Sequence, residues 1–332
     1  MHYTIATLGS HSALQILKGA YNEGFKTLVI HTPQMAALYR RFHFIDEFIE
    51  IPSYKEFHLV QKKLRKKVIL ISHGSFIAYL GIEGNKKITL PYFGNKKVLD
   101  WEANREKQRE WLDKAGLVLP KQFKEKDTIE FPVIVKSFGA AGGRGYFIAK
   151  DKADLQKKLR RFENSPYIIQ QYIIGVPLYI HYFYSPMHNR IEILGMDRRY
   201  ETNADGIGRI PGVNQPKDLE PSFVVVGNSP LVLRESMLEE AYTMGEDVVA
   251  ASKQLIDKRG IFGPFCLETI ITPDQKMNVI EISCRIVAGT NLFIDGSAYS
   301  SFHFKEPMST GRRIAREIKE AIKKDKLSLI ID

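Results

Sequence analysis

Two glutamates on neighbouring apolar runs are the residues of this chain best suited to chemistry. The runs flank a turn-rich stretch at residues 272–276, and this pattern predicts a β-hairpin. If the turn is centred between Asp274 and Gln275, Glu268 lies directly opposite Glu281, with Cβ atoms about 4.5–5.5 Å apart. Two facing carboxylates repel each other unless one is protonated or a cation lies between them. Because hard divalent ions prefer oxygen ligands, the hairpin predicts a Mg²⁺ or Mn²⁺ site that a polyphosphate would complete. The alternative is a pair of solvent-facing glutamates on an edge hairpin.

The same hairpin register places four further residues. Ser283 and Arg285 continue on the Glu281 face at a period of two, so we expect a guanidinium group beside the metal. Cys266 and Cys284, the only cysteines of the chain, fall on opposite faces, and a disulfide between them is not expected. So few cysteines also argue against a secreted, disulfide-rich protein.

A second candidate for chemistry is a glycine-rich stretch between two apolar runs, Val133 to Ala149. Lys136 closes the first run, and Arg144 is the only charge among the glycines. Glycine lets several backbone N–H groups converge on one anion, because no Cβ blocks the approach. The pattern predicts a strand, a phosphate-covering loop and a second strand, with a simple flexible hairpin tip as the alternative. It is not a Walker A loop, since a strand and not a helix follows. The glycines are Gly139, Gly142, Gly143 and Gly145.

The first hundred residues predict a parallel sheet whose strands end in polar residues. Two apolar runs and a helical pattern within residues 3–31 form a βαβ unit. Ser10 or Ser12 would cap this helix, whose free N–H groups suit an anion, and His11 lies in the same turn. A later strand ends in His-Gly-Ser at residues 73–75. Both strand ends would face one crevice, where ligands of parallel sheets bind. The alternative for His11 is a loop histidine without a role.

The middle of the chain predicts a helix and a hinge. Residues 98–115 predict one amphipathic helix that stops at Gly116, and Arg105 on it is either a phosphate contact or a surface arginine. The apolar run at residues 167–174 predicts a buried strand or a hinge between two lobes. Such a hinge can bind a purine through its backbone N–H and C=O groups.

The C-terminal half contains a dense polar cluster at residues 193–211. A long segment with Asp, Glu, Asn and Arg together is more often functional than structural. A following strand ends in Asn228. Residues 234–256 and 311–326 predict helices, and the isoleucine stripe of the second is expected to pack in the core.

The chain as a whole has the composition of a globular protein. Its 332 residues suggest two or three domains or one large α/β unit, and its 44% hydrophobic and 26% charged residues are ordinary. The formal charge of +10 suits anionic substrates, while the basic clusters have helical spacing, so no nucleic-acid partner is expected. No apolar run approaches the ~20 residues of a membrane span, and no signal sequence precedes the first strand. We therefore expect a cytoplasmic protein without a membrane partner. Whether it is a monomer or a homo-oligomer stays open.

The order of these parts resembles the ATP-grasp superfamily: a lysine strand, a glycine-rich flap, a hinge strand, and an acidic strand pair that ends in Glu-x-x-x-Arg. The closer resemblance is to the archaeal formate-dependent synthetases of purine and IMP biosynthesis, which convert 5-aminoimidazole-4-carboxamide ribotide (AICAR) to its formyl derivative (FAICAR). It extends over nearly the whole chain. The stretches that carry it are Ile5-Ala-Thr-Leu-Gly-Ser-His11, His73-Gly-Ser-Phe-Ile-Ala78, Gly139 to Ile148, Leu194-Gly-Met-Asp197, Tyr200-Glu-Thr-Asn203, Gly263-Pro-Phe-Cys266 and Arg312-Arg-Ile-Ala-Arg-Glu-Ile318.

The resemblance implies an α/β (α+β) ATP-grasp fold with an N-terminal parallel-sheet domain followed by two ATP-grasp lobes. The implied substrate domain is residues 1–100, the lobe with the flap is residues 101–175, and the lobe with the metal and substrate site is residues 176–332. The implied activity is that of an ATP-dependent carbon–nitrogen ligase. Formate would attack the γ-phosphate of ATP, and the AICAR amine would capture the resulting formyl phosphate. A closed flap would shield this acyl phosphate from water.

Carried over by position, the resemblance also implies a role for each site residue. The implied catalytic residues are Lys136 and Arg285. The implied ATP contacts are Arg105, Lys136, Gly142, Gly143, Arg144, Glu201 and the hinge residues Gln170, Gln171, Tyr172 and Ile173. The implied contacts to AICAR or formate are Ser10, His11, Ser75, Asn203, Arg209, Asn228 and Asn291. The implied ligands of Mg²⁺ or Mn²⁺ are Glu268 and Glu281.

The chain departs from the ATP-grasp pattern around the hinge, at position 283 and at position 287. Gln170 and Gln171 stand where hinge acids are common, and Pro177 stands where an acidic ribose contact is usual. Ser283 replaces the asparagine of Glu-x-Asn-x-Arg, and Val287 replaces an expected aspartate. Two alternatives therefore stay open. One is an ATP-grasp ligase with a different carboxylate or amine, and the other is a non-catalytic nucleotide or ribotide sensor.

Overall fold

The chain folds into an N-terminal, a central and a C-terminal β-sheet with helices packed around them. The computed structural model describes residues 3–64, 67–124, 127–137, 146–160, 166–215, 221–222 and 224–332. The glycine-rich loop that was predicted to cover phosphates lies outside these residues, with its four glycines and Arg144.

The N-terminal sheet is parallel, as the βαβ pattern predicts. Three of its strands are nearly continuous apolar runs, because both faces of a parallel sheet are covered. In the order β3-β2-β1-β4-β5, its strands are β1 (Thr4–Leu8), β2 (Lys26–His31), β3 (Glu47–Glu50), β4 (Val68–Ile71) and β5 (Tyr92–Phe93). The helices of this region are α1 (Ala13–Asn22), α2 (Ala36–Tyr39), α3 (Phe57–Gln61) and α4 (Gly81–Lys86), with a π-helical turn Phe76–Leu80 before α4.

The central sheet is antiparallel and buries one face. Its strands β6 (Gln122–Phe123), β7 (Val133–Ser137), β8 (Tyr146–Ala149) and β9 (Tyr167–Gln171) have the order β6-β9-β7-β8. Val133, Val135 and Ile169 pack with Leu155 of α7 (Lys152–Leu159) in one core cluster. Because side chains alternate along a strand, Lys136 and Gln170 lie on the other face.

The C-terminal sheet is also antiparallel, and its apolar face forms part of the largest core. Its strands, in the order β12-β11-β10-β13-β14, are β10 (Val176–Ser185), β11 (Arg190–Glu201), β12 (Val225–Pro230), β13 (Gly263–Ile271) and β14 (Met277–Ser283). Leu178, Ile180, Leu267 and Ile282 are fully buried in this core. The helices of this region are α8 (Thr202–Ile207), α9 (Leu238–Leu255) and α10 (Ser300–His303). The helix predicted at residues 234–256 thus begins later, at Leu238, after a 3₁₀ turn.

The single helix predicted at residues 98–115 is wrong, because the chain forms two helices there. These are α5 (Lys97–Ala103) and α6 (Arg105–Lys114), separated by Asn104 in an extended conformation. The Asn104 side chain accepts hydrogen bonds from the backbone N–H groups of Glu106 and Lys107, which caps α6. Arg105 is therefore the first residue of a helix. The predicted stop is correct, since Gly116 has a φ of +72°.

The last helix, α11 (Thr310–Lys323), packs against α1 near the start of the chain. Glycines make the close crossing possible: a Cβ on Gly19 would lie 2.2 Å from the backbone nitrogen of Arg312. Glu23 at the end of α1 binds Arg312, Arg316 and Lys319 of α11. As predicted, Ile314 and Ile318 of the apolar stripe are fully buried. Among the residues that the structure describes, no helix is long and apolar enough to cross a membrane.

Candidate active site

The C-terminal sheet carries a polar face that contains much of the predicted site. Tyr179 of β10 lies between Asp197 of β11 and Glu268 of β13, and Glu268 pairs with Glu281 of β14. Paired residues of antiparallel strands share a face, so one row of polar side chains crosses four strands. Arg199, two residues beyond Asp197, lies on the same face.

The two glutamates face each other as the hairpin pattern predicts, although the turn is not where the sequence places it. Next to the turn Ile271 pairs with Met277, which centres the turn half a residue before the predicted position. The register then shifts at a β-bulge, and this shift brings Glu268 opposite Glu281. Without the bulge Glu268 would face Ile280. A local irregularity of β14 therefore brings the two carboxylates together.

Two arginines from two other elements contact the carboxylate pair. Both terminal nitrogens of Arg199 donate to Glu268, at 3.1 and 3.3 Å. The Arg199 guanidinium also stacks 3.6 Å from the centre of the Tyr179 ring. Arg105 of α6 lies 4.0 Å from a carboxylate oxygen of Glu281. Arg199 was not among the predicted site residues.

The electrostatics of this cluster couple its acids to Lys136. Burial and the facing Glu268 carboxylate raise the pKa of Glu281, against the opposing effects of Arg105 and Lys136. Burial lowers the pKa of Lys136, and the attraction of Glu281 partly offsets it. The two facing carboxylates offer the oxygen ligands that a hard divalent cation prefers. Such a cation would replace the positive charge that the arginines now supply to this pair.

Arg285 lies at the boundary between this cluster and the N-terminal sheet. The strand β14 ends at Ser283, so the predicted continuation of its alternation to Arg285 is not seen. Arg285 instead forms an ion pair of 3.0 Å with Glu102 of α5, whose other oxygen accepts from the Cys284 N–H at 2.9 Å. A Cβ on Gly74 would lie 3.5 Å from the Arg285 guanidinium, so Arg285 reaches the crevice of the N-terminal sheet. Glu102 was not predicted, since nothing local marks it.

The crevice at the end of β1 and β4 brings the predicted serines and histidines together. The Nδ1 atom of His11 lies 2.8 Å from the Ser75 hydroxyl and 3.2 Å from that of Ser10. Burial, with help from Arg285, lowers the pKa of His11, which keeps the ring neutral near pH 7. Asn291 reaches the same turn, donating to the His11 carbonyl at 3.2 Å.

The predicted capping of α1 by a serine hydroxyl is wrong. Ser12 occupies the N-cap position, but its side chain makes no cap hydrogen bond, and Ser10 hydrogen-bonds to His11 instead. The Ser12 hydroxyl is fully buried and has no partner in the described part of the chain. The turn has a left-handed residue at His11, with a φ of +47°.

Asn228 is held by a buried acid on the neighbouring strand. Its side-chain nitrogen donates to Asp197 at 2.6 Å, and the second oxygen of Asp197 accepts from the Nε2 atom of His181, also at 2.6 Å. Asp197 is fully buried, and an ionised carboxylate can only accept. Asn228 must therefore turn its carbonyl oxygen away from Asp197. Neither Asp197 nor His181 was predicted as a site residue.

The hinge offers fewer free backbone N–H groups for an adenine than the sequence predicts. Gln170 lies in the central strand β9, where it pairs with both neighbouring strands. The N–H groups of Gln171 and Tyr172 donate to the carbonyls of Lys121 and Pro132. Of the four predicted adenine contacts, Ile173 is the one whose backbone N–H has no backbone acceptor among the described residues.

The polar cluster around α8 contains the remaining predicted residues. Burial, aided by Asp205 and opposed by Arg199, raises the pKa of Glu201 to about 7. Asn203 accepts a hydrogen bond from the Ser222 N–H, and Arg209 is exposed. The structure thus places Glu201 near the carboxylate cluster but does not bring Arg209 into it.

Comparisons with known proteins place the chain among synthetases of one pathway. Residues 5–123 match a family model described as a protein of unknown function (DUF1246), and residues 151–332 match one described as a domain of unknown function (DUF1297). The 5-formaminoimidazole-4-carboxamide-1-(beta)-D-ribofuranosyl 5'-monophosphate synthetases of Pyrococcus horikoshii and Pyrococcus abyssi are 50% and 48% identical to it. These alignments cover 98% of this chain in both cases, and 99% and 98% of the two relatives.

Solved structures agree with these relatives. The crystal structure of an IMP biosynthesis protein PurP from Thermococcus kodakaraensis has a TM-score of 0.81 at 33% identity, covering 99% of this chain and 100% of that chain. The ADP complex of purK, an N5-carboxyaminoimidazole ribonucleotide synthetase, has a TM-score of 0.66 at 14% identity, covering 95% of this chain and 76% of that one. The second likeness shows the fold alone.

Proposed function

Because this chain belongs to the family of 5-formaminoimidazole-4-carboxamide ribonucleotide synthetases of purine biosynthesis, we propose that it is an ATP- and formate-dependent ligase that converts AICAR to FAICAR. The observation that carries the proposal is the paired Glu268 and Glu281, surrounded by Arg105, Arg199 and Lys136. Two acids among three cations suit the joint binding of a divalent metal and a polyphosphate.

The proposed reaction has two steps. A formate oxygen attacks the γ-phosphorus of ATP, the bond to the β-phosphate oxygen breaks, and ADP leaves. The AICAR amine then attacks the formyl carbon, the C–O bond to phosphate breaks, and the amine loses a proton. The products are FAICAR, ADP and phosphate. Neither step requires a covalent bond to the protein, so positioning and charge neutralisation supply the catalysis.

The nucleotide would lie between the central and C-terminal sheets. Lys136 and Arg105 would bind its phosphates, and Ile173 would contact the adenine through its backbone. Glu268 and Glu281 would hold Mg²⁺ or Mn²⁺, which when bound would neutralise charge on the phosphate oxygens. Burial of Lys136 at 6% exposure strengthens its attraction for a phosphate, because little water screens it.

The ribotide would lie in the crevice of the N-terminal sheet. With the Ser75 hydroxyl donating to Nδ1 of the neutral His11 ring, the Nε2–H of His11 would donate to the phosphate or sugar, and the Ser75 oxygen would accept from a sugar hydroxyl. Asn291 would hold the His11 turn in place. Asn228, with its carbonyl oxygen turned away from Asp197, would accept from an N–H group of AICAR. In this proposed arrangement the amine would point towards the carboxylate cluster, where the acyl phosphate would form.

Incubation of the pure protein with ATP, Mg²⁺, formate and AICAR tests the proposal. We expect ADP and formylated ribotide in equal amounts, and neither product when formate is omitted. ADP that forms only with a different small acid would select an ATP-grasp ligase for another carboxylate. Binding of AICAR without ADP or FAICAR would contradict the ligase and favour a ribotide sensor.

A further inference from the structure

Arg199 uses both oxygens of an acid that the proposed metal also needs. Its two terminal nitrogens donate to the two oxygens of Glu268 in a bidentate pair, with side-chain exposures of 19% and 12%. Charge-assisted pairs of this geometry are among the strong ones in proteins. A cation that binds between Glu268 and Glu281 must therefore compete with Arg199 for Glu268.

The Arg199 guanidinium has a support that does not depend on Glu268. It stacks 3.6 Å from the centre of the Tyr179 ring, and Tyr179 is 5% exposed, so the ring is fixed in the fold. A guanidinium released by Glu268 would stay on this ring instead of moving into solvent. Its planar fork also fits the oxygens of a phosphoryl group better than an ammonium would.

Arg199 lies between the proposed metal–nucleotide site and the proposed ribotide site. On one side it contacts Glu268 of the proposed metal site, and on the other its strand neighbour on β12 is Asn228. A phosphoryl group on the metal side and an amine on the Asn228 side would meet beside this guanidinium. No other cation of the described residues contacts Glu268 in a hydrogen bond.

We propose that Arg199 is a catalytic residue that exchanges partners, holding Glu268 before the metal–nucleotide binds and the transferring phosphoryl group afterwards. This proposal rests on the proposed function for the identity of the acyl phosphate. The exchange itself requires only a divalent cation and a phosphoryl group. It gives one side chain two tasks: it neutralises the buried acid in the free protein, and it stabilises the charge on the phosphoryl group during transfer.

The first test measures Mn²⁺ alone, without nucleotide, by the electron paramagnetic resonance signal of the free ion. Arg199→Met removes the competing charge and keeps an apolar stem on Tyr179. We expect it to bind Mn²⁺ about tenfold more tightly than the wild type, since one charge-assisted pair is lost. Arg198→Met is the matched control, because Arg198 is exposed and pairs with Asp205, and we expect no change. Unchanged or weaker Mn²⁺ binding by Arg199→Met would overturn the exchange.

The second test measures the phosphoryl contact without turnover. MgADP with aluminium fluoride imitates the transferring phosphoryl group. Arg199→Met should bind MgADP alone at least as tightly as the wild type, but the addition of aluminium fluoride should strengthen its binding at least about tenfold less than in the wild type. Arg199→Lys keeps the charge without the fork and should lie between the two. An equal gain from aluminium fluoride in all three proteins would refute the phosphoryl contact. Thermal unfolding identifies a variant that fails to fold, and Arg199→Lys then supplies the comparison.

Turnover separates this proposal from the proposed function. The kcat for FAICAR formation should fall about 100-fold in Arg199→Met. If the wild type forms no FAICAR, the proposed function fails, while the Mn²⁺ and aluminium fluoride measurements still decide the exchange. Tighter Mn²⁺ binding with an unchanged kcat would mean that Arg199 acts on Glu268 alone, which contradicts the second half of the proposal.

Discussion

Replacement of Asp197 by asparagine is expected to weaken AICAR binding through Asn228. In the wild type Asp197 accepts from Asn228 and from His181, at 2.6 Å each. An asparagine at position 197 must turn its amide nitrogen towards one of these two donors. If it turns towards His181, the ring must carry its proton on Nδ1, an atom that has no partner among the described residues. Otherwise Asn228 loses its acceptor and is free to rotate.

The expected loss of AICAR binding follows from the strength of the hydrogen bond between Asn228 and Asp197. A charge-assisted hydrogen bond contributes about 1.5–3 kcal/mol. Part of that energy fixes the Asn228 amide, so we expect Asp197→Asn to cost about 1–2 kcal/mol in AICAR binding, or roughly a 5- to 30-fold higher Kd. ATP binding should not change, because Asp197 contacts neither Lys136 nor Arg105 in the structure.

Isothermal titration calorimetry of AICAR against the single and double variants measures this coupling. Asn228→Ala alone should raise the Kd by a similar factor, and Asp197→Asn should add little in its presence, since Asp197 acts through Asn228. The expected coupling energy is about 1–2 kcal/mol. If the two substitutions instead add within about 0.3 kcal/mol, Asp197 does not position Asn228 and the reasoning is refuted.

Three further predictions concern other parts of the fold. Glu281→Gln should lower kcat at least about 100-fold without a change in thermal unfolding, and retained activity would contradict its assignment as a metal ligand. Burial raises the pKa of Glu23, but hydrogen bonds with Arg316 and Arg312 outweigh it and lower the pKa from 4.5 to about 2. The ionised Glu23 carboxylate therefore stabilises the folded protein by about 3 kcal/mol above pH 4.5, and this stabilisation is lost as the pH falls towards 2. Glu23→Gln should accordingly destabilise the protein in urea at pH 7 and have little effect near pH 2. An effect of Glu23→Gln that is equal at both pH values would falsify this linkage. Gly19→Ala should cost about 1–3 kcal/mol in the same assay, because its Cβ would lie 2.2 Å from the Arg312 backbone nitrogen, and unchanged stability would exclude the close crossing.

Alternation along the strands made the C-terminal hairpin predictable from the sequence. Glu268 and Glu281 stand on strands with one apolar and one polar face, so the polar residues identify the face of the site. The bulge in β14 was not predicted, although the adjacent apolar residues Val279 and Ile280 interrupt the alternation at this point. The predicted pairing is correct because the bulge offsets an error of half a residue in the predicted turn.

The site residues that were missed are partners distant in the chain. Arg199 and Glu268 are 69 residues apart, and the ion pair of Arg285 with Glu102 joins a helix to the end of β14. No local period reports such pairs, because they depend on how the elements pack. The break at Asn104 was different: asparagine is a preferred N-cap, so the sequence contained a signal that the amphipathic pattern concealed.

Val287, which stands where the ATP-grasp pattern has an aspartate, lies near the ring that supports Arg199. Val287 is 5% exposed and packs in one apolar cluster with Tyr179 and Cys266. An aspartate at position 287 would add another buried acid to those around Tyr179, the ring that supports the Arg199 guanidinium. It would need its own cation, and a buried charge without a partner is costly. Valine avoids this cost and packs beside Tyr179. The lost acid at position 287 is therefore compatible with a working site in which Arg199, held on Tyr179, serves Glu268.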